Sequence, residues 1–131
     1  MPRIVLPLLF LAAACSHRYR AAETGENVEG RAPVTIHPDI EDKVSVVDHS
    51  SIRTTDGRLS VRVTLASESK GDRSLLVRTH WLDESRNTIV LSDWRHVYLP
   101  GGTTVLYESS SLDTRPVGYS VAVRPASTDR R

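Results

Sequence analysis

The sequence predicts an all-β protein: an immunoglobulin-like antiparallel β-sandwich of about seven strands, carried behind a signal peptide and a flexible tether. Three observations point there. Apolar residues recur at every second position over several short runs, the period of a half-buried strand. Turn-forming residues punctuate those runs about every 8 to 12 residues, the rhythm of sandwiches and barrels. No stretch places apolar residues at helical spacing. An open barrel is the second architecture that fits the pattern.

The chain has 131 residues, 39% hydrophobic and 25% charged, the composition of a globular protein with one core. Its formal net charge of +1 gives no electrostatic footprint for nucleic acid. No run of eighteen apolar residues is present, so no membrane-spanning helix is expected.

The first element is a signal. Arg3 supplies a positive start, and residues 4–14 form an apolar stretch of eleven residues, too short to span a bilayer. Ala12, Ala13 and Ala14 are the small side chains that a signal peptidase cleft admits, and Cys15, the single cysteine of the chain, follows. The pattern is that of a lipoprotein signal peptide over residues 1–14, with Cys15 as the lipid attachment site. It departs from the usual lipobox at Ala12, because the leucine, Leu11, stands one step too early. An ordinary A-x-A site would cut the same bond and release a soluble chain, so only the lipid separates the two readings. Buried acyl chains contribute about 0.8 kcal/mol per CH2, and two or more hold a protein on a membrane stably. Ser16, rather than an aspartate, follows the cysteine, which favours the outer membrane, facing the periplasm.

Residues 15–42 read as a flexible tether: polar, with glycine and proline and no sustained period. As a coil, roughly 27 residues span about 28 Å root-mean-square. His17, Arg18 and Arg20 beside the anchor read as solvated charges. Residues 34–36, ahead of Pro38, are a candidate short edge strand.

The domain is expected over residues 43–126, with a frayed tail at 127–131. A first strand covers 43–48. The clearest covers 58–66, with Leu59, Val61, Val63 and Leu65 on one face and Ser60, Arg62, Thr64 and Ala66 on the other. Asp56-Gly57 before it is a turn signal, and the polar stretch 67–74 reads as a hairpin loop. Leu75, Val77, Thr79 and Trp81 alternate with Leu76, Arg78, His80 and Leu82 in a third strand. A loop at 83–87, a short strand at 88–91 and a strand at 94–99 follow, the last stopped by Pro100-Gly101-Gly102. Residues 103–109 put Val105 and Tyr107 on one face. A closing strand alternates Val117, Tyr119, Val121 and Val123 with Gly118, Ser120, Ala122 and Arg124.

The residues suggest no catalytic site, no cofactor and no metal. The serines form no G-x-S-x-G elbow and show no base beside them. Five histidines lack metal-ligand spacing, although His80 and His96 fall on neighbouring strands. No glycine-rich phosphate loop opens a helix, and no carboxylate pair of the glycosidase kind is visible. The protein is therefore expected not to be an enzyme. The recurring polar theme is outward arginine: Arg62, Arg78 and Arg124 all point away from the core on the assigned alternation. Two of them on one sheet would grip a carboxylate-bearing partner or glycan; pairing with nearby acids is the competing reading. Trp81 falls on the core face. Trp94 and Tyr98, on the opposite parity from Val97 and Leu99, are candidates for an exposed aromatic contact, with core burial as the alternative.

Taken together, the order of features resembles the YcfL family of small lipoproteins, which carry a domain of unknown function, DUF1425. The resemblance rests on the lipobox and on Leu59-Ser-Val-Arg-Val-Thr-Leu65 leading into a polar loop. It continues with a strand containing Arg78 and ending in Trp81-Leu-Asp83, then Trp94-Arg-His-Val-Tyr-Leu-Pro100, Thr104-Val-Leu-Tyr107 and a valine-rich closing strand. The chain departs at Val77 and Thr79, where family members tend to carry aromatic residues, which implies a less bulky core. The resemblance implies a lipid-anchored sandwich with no established activity, working near envelope or peptidoglycan-synthesis proteins. Two functions follow as expectations: a non-catalytic protein-binding module, or a carbohydrate- or peptidoglycan-binding module. Neither the oligomeric state nor the partner is legible.

Overall fold

Successive side chains of a strand point to opposite faces, so runs with apolar residues at every second position must find a second sheet to cover them. The computed structural model describes residues 32–127, and among these are eight strands and no helix. They are β1 (Val34–Ile36), β2 (Val44–Arg53), β3 (Leu59–Ser67), β4 (Arg73–Leu82), β5 (Thr88–Leu91), β6 (Arg95–Leu99), β7 (Thr104–Ser110) and β8 (Gly118–Pro125). The expected signal peptide, Cys15, most of the expected tether and the last four residues lie outside the described part.

The strands form two sheets, a β-sandwich rather than a barrel. One sheet runs β1-β8-β4-β5, with β6 also on β4; the other runs β2-β3-β7. Strand β4 is the axis of the larger sheet. One of its edges takes β8 along Leu75 to Leu82, and the other is shared, β6 pairing with the first half and β5 with the second. All pairings are antiparallel except β1 on β8, which is parallel.

The central strands carry the core. On β3, Leu59, Val61, Val63 and Leu65 are buried, and on β4, Leu75, Val77, Thr79 and Trp81 are buried, as the alternation predicts. Tyr107 from β7 and Tyr119, Val121 and Val123 from β8 join the same cluster. The small residue Thr79 meets the opposite sheet through its hydroxyl, 2.9 Å from the Tyr107 hydroxyl. The Tyr119 hydroxyl lies 3.1 Å from His49 Nδ1 on β2. Each tyrosine thus fills volume at the core while its polar end finds a partner across the sandwich.

Three features differ from the sequence expectation. The polar stretch after β3 is not a hairpin loop: β3 and β4 belong to different sheets, and the segment turns the corner between them. A polar loop of this length serves either connection, and only pairing decides. The first domain strand is longer than 43–48, because β2 continues through Asp48 to Arg53 along β3. An edge strand with a wet face needs ladder hydrogen bonds rather than apolar residues, so its polar half carries no period-two signal. The register slips between Val46 and Asp48, a bulge that turns Val47 out to 60% exposure. Finally, residues 33–42, read as the end of the tether with a candidate edge strand at 34–36, belong to the sandwich, and that strand is β1. β1 lies on β8, the Pro33 carbonyl accepts from Val121 N at 2.8 Å, and Val34 and Ile40 are buried.

At one end of the sandwich two connections cross. Gly102 N donates to Ser69 O, Gly101 N donates to Asp72 Oδ1, and Tyr98 Oη donates to Asp72 Oδ2 at 2.7 Å. A Cβ on Gly101 would stand 2.0 Å from the Lys70 carbonyl oxygen, whereas Gly102, at φ 68°, faces open space. Gly101 is thus a close-approach glycine and Gly102 a conformational one.

Gly101→Ala should therefore lower stability by about 2 kcal/mol or more, through displacement of backbone against backbone. Gly102→Ala should cost only the roughly 1–2 kcal/mol of a left-handed residue; urea melts of both variants check the order. The Asp72 cluster should also be visible in titrations. The Gly101 N–H and then the Tyr98 hydroxyl hold the Asp72 carboxyl below its ordinary value, and Asp72 in turn raises Tyr98 above 10.0. The depressed carboxyl contributes stability above its unfolded pKa that is lost as pH falls through the folded one. The raised phenol contributes below 10.0, and that contribution is lost as pH climbs through the folded value. Asp72→Asn should return one tyrosine to ordinary ionisation in an ultraviolet titration; an unchanged curve would refute the bond.

Candidate functional site

Between β5 and β6 the edge of the larger sheet breaks, and the break places the candidate site. Ser92 substitutes its side chain for a ladder group: its Oγ accepts from Thr79 N at 2.8 Å while its own N–H donates to the Thr79 carbonyl. The chain then jogs outward through Asp93, and β6 resumes with Arg95 opposite Val77. Continuing that register sets Trp94 opposite Arg78, on the outer face. Arg124 on β8 lies across β4, diagonal to Arg78, since Leu76 pairs with Arg124 and Arg78 with Ala122.

The three side chains converge. The Arg78 guanidinium carbon sits 4.4 Å from the Trp94 ring centroid and that of Arg124 sits 3.9 Å from it. The two cationic centres therefore lie no more than about 8 Å apart, the sum of their ring distances. Like charges at that spacing repel by about 0.5 kcal/mol in water-like surroundings. Each cation–π contact returns about 0.5–1 kcal/mol at an exposed site, so the half-buried ring holds the pair together. Among the described residues neither arginine has a carboxylate within ion-pair reach, and Arg78 Nε is buried with no hydrogen-bond acceptor. No aspartate or glutamate occupies an outward position of β4, β6 or β8. The arrangement is two unneutralised guanidinium forks on an aromatic plate, the chemistry that receives a carboxylate or another anion.

Two of the sequence candidates do not join them. Arg62 is on the other sheet, with its Nε 2.6 Å from Glu108 Oε1, and is an ordinary exposed ion pair. Tyr98 is exposed, but it pairs with Ser74 at the far end of β6, and its hydroxyl is committed to Asp72. His80 and His96 do not approach each other: His96 pairs with Leu76, four residues down β4 and about 13 Å away at strand rise. His80 Nδ1 lies 3.3 Å from Thr88 Oγ1 instead. Among the described residues no three His, Cys, Asp or Glu side chains group in a way that would hold a metal.

Beside the stack lies a feature that the sequence did not reveal. A cleft of about 410 Å³ opens at the β5–β6 break, floored by Trp81 and lined by Val90, Leu91, Trp94, Ser109 and Leu112. Trp94 forms both the plate of the arginine stack and one wall of this cleft. The residues that line it are spread over loops and strand ends, which leaves no spacing to recognise.

No family model matches the chain, and no curated protein matches it. Two crystal structures do resemble it. The Campylobacter jejuni protein cj0090 superposes with a TM-score of 0.62 at 18% identity, covering 71% of this chain and 97% of that one. A DUF1425 family member from Shewanella sp. pv-4 superposes with a TM-score of 0.58 at 24% identity, covering 66% of this chain and 81% of that one. At these identities the likeness speaks for the fold, and it is the fold that the resemblance in sequence implied: this chain shares the β-sandwich of that DUF1425 member.

Proposed function

We propose that the protein is a YcfL-like, lipid-anchored module of the cell envelope, held through Cys15 at the outer membrane and facing the periplasm. In this reading it does no chemistry of its own. It binds a carboxylate-bearing envelope protein on the outer face of the larger sheet. The observation that carries the binding reading is the Arg78–Trp94–Arg124 stack, because two guanidinium groups with no ion-paired acid among the described residues are a standing offer to an anion. The signal pattern with its cysteine, and the resemblance in sequence to a lipoprotein family, support the envelope setting.

A glycan-binding module is the less favoured reading. Sugar recognition by an aromatic residue uses an open ring face, and the Trp94 ring already carries two guanidinium groups within 4.4 Å of its centroid. Peptidoglycan-synthesis proteins remain among the partners this reading covers.

Two experiments test the reading. Intact mass of the chain made in a lipidating Gram-negative host should show Cys15 acylated at the new N-terminus; an unmodified cysteine removes the anchor and leaves the sandwich. A photo-crosslinker at His96, beside the stack, should capture an envelope protein from membranes, and Arg78→Glu with Arg124→Glu should abolish that capture. Capture that survives charge reversal, or recovery with sacculi alone, would overturn the protein-binding reading.

A further inference from the structure

We infer that the site takes an extended acidic segment of a partner protein. One carboxylate is held by Arg78 and Arg124, and an aliphatic side chain about two residues away enters the cleft floored by Trp81. The inference rests on the reading of the arginine face as a carboxylate site and adds to it the second half of the ligand.

The cleft supplies that half. Its floor, Trp81, is a core residue only 2% exposed, so a side chain seated there would be continuous with the core. Its walls include Leu91 and Leu112, which are 40% and 86% exposed. Single exposed leucines are ordinary; these two converge on one opening, and an occupant would bury both. The volume of about 410 Å³ lies at the small end of ligand pockets, suited to a side chain rather than a large cofactor.

The order of the two halves follows from charge. Asp93 and Arg95 both line the cleft and offset each other in charge, whereas the arginine face carries two guanidinium groups and no acid on its strands. A carboxylate is therefore steered to the guanidinium pair and an apolar group to the cleft, with Trp94 touching both. Residues two apart on an extended chain project to the same side, which lets one strand-like segment reach both places. A phosphate-bearing lipid surface matches the arginines, but its flat array of headgroups does not enter a recess walled by Leu91 and Leu112, so the peptide is the better fit.

The test uses the full chain in detergent and labelled peptides in a glycine–serine background, read by fluorescence anisotropy. The peptides carry an aspartate and a leucine two residues apart, the aspartate alone, the leucine alone, or neither. The paired peptide should bind about tenfold more tightly than the aspartate peptide, the scale expected from burying one leucine in part. Leu112→Ser with Leu91→Ser should erase that gain and leave aspartate binding unchanged. Both substitutions fall on exposed side chains, so thermal melts should stay near the parent. Arg78→Ala with Arg124→Ala should weaken both acidic peptides by about tenfold. If leucine adds nothing while the aspartate peptide still binds, the cleft assignment fails and the carboxylate reading survives. If no acidic peptide binds, both fail. Phosphatidylglycerol vesicles that displace the paired peptide at lower anionic-group concentration would overturn the peptide in favour of a lipid.

Discussion

The structure depends on burying one face each of β3 and β4. These two strands are consecutive in the chain and central in different sheets, so their inward side chains meet in one cluster. Valine and leucine supply most of it, and Trp81, Tyr107 and Tyr119 fill the remaining volume. Apolar burial is worth roughly 25 cal/mol per Å², which makes the large aromatic side chains disproportionate contributors. The polar ends of the two tyrosines are satisfied at Thr79 and His49, across the sandwich from the strands that carry them. A hydroxyl left unpaired at such a place would cost about 1–3 kcal/mol, so these pairings also fix how the sheets sit on each other.

The candidate site is a by-product of that constraint. Because β4 must lie between β8 and the β5–β6 pair, its outward arginine is flanked on one side by Arg124 and on the other by Trp94. The jog at Ser92 does two jobs at once. It lifts Trp94 onto the outer face, and it leaves a cleft above the buried Trp81 at the edge of the sandwich. Charge and apolar surface are thereby placed side by side around a single indole. The opposite sheet shows the contrast, since the outward Arg62 there is neutralised by Glu108 and offers nothing.

Much of the fold was legible because alternation is a local property. Leu59, Val61, Val63 and Leu65 announce a buried face without reference to any other strand, and so do Leu75, Val77 and Trp81. The same parity places Arg78 and Arg124 outward, and Val97 and Leu99 inward, which sets Trp94 on the outer side. What failed was whatever depends on partners. The second half of β2 is polar because it lies at an edge, and an edge strand is held by backbone groups common to every sequence. β1, three residues long, was a candidate strand from its sequence, but its parallel pairing with β8 was not legible there.

Sequence by itself determined the all-β character, the inward faces and the turn at Asp56-Gly57 with its positive φ at the glycine. Each of these is written in neighbouring residues, through side-chain period or glycine's tolerance of left-handed backbone. Tertiary structure alone decided which strands share a sheet, and with it the fate of the three outward arginines. Arg62 and Glu108 are 46 residues apart in the chain and meet across β3 and β7. Arg78, Trp94 and Arg124 come from three segments that only β4 brings side by side. Coulomb and cation–π energies fall away over a few ångströms, so whether an arginine is neutralised or left to bind depends on register and sheet order, which no single stretch of sequence contains.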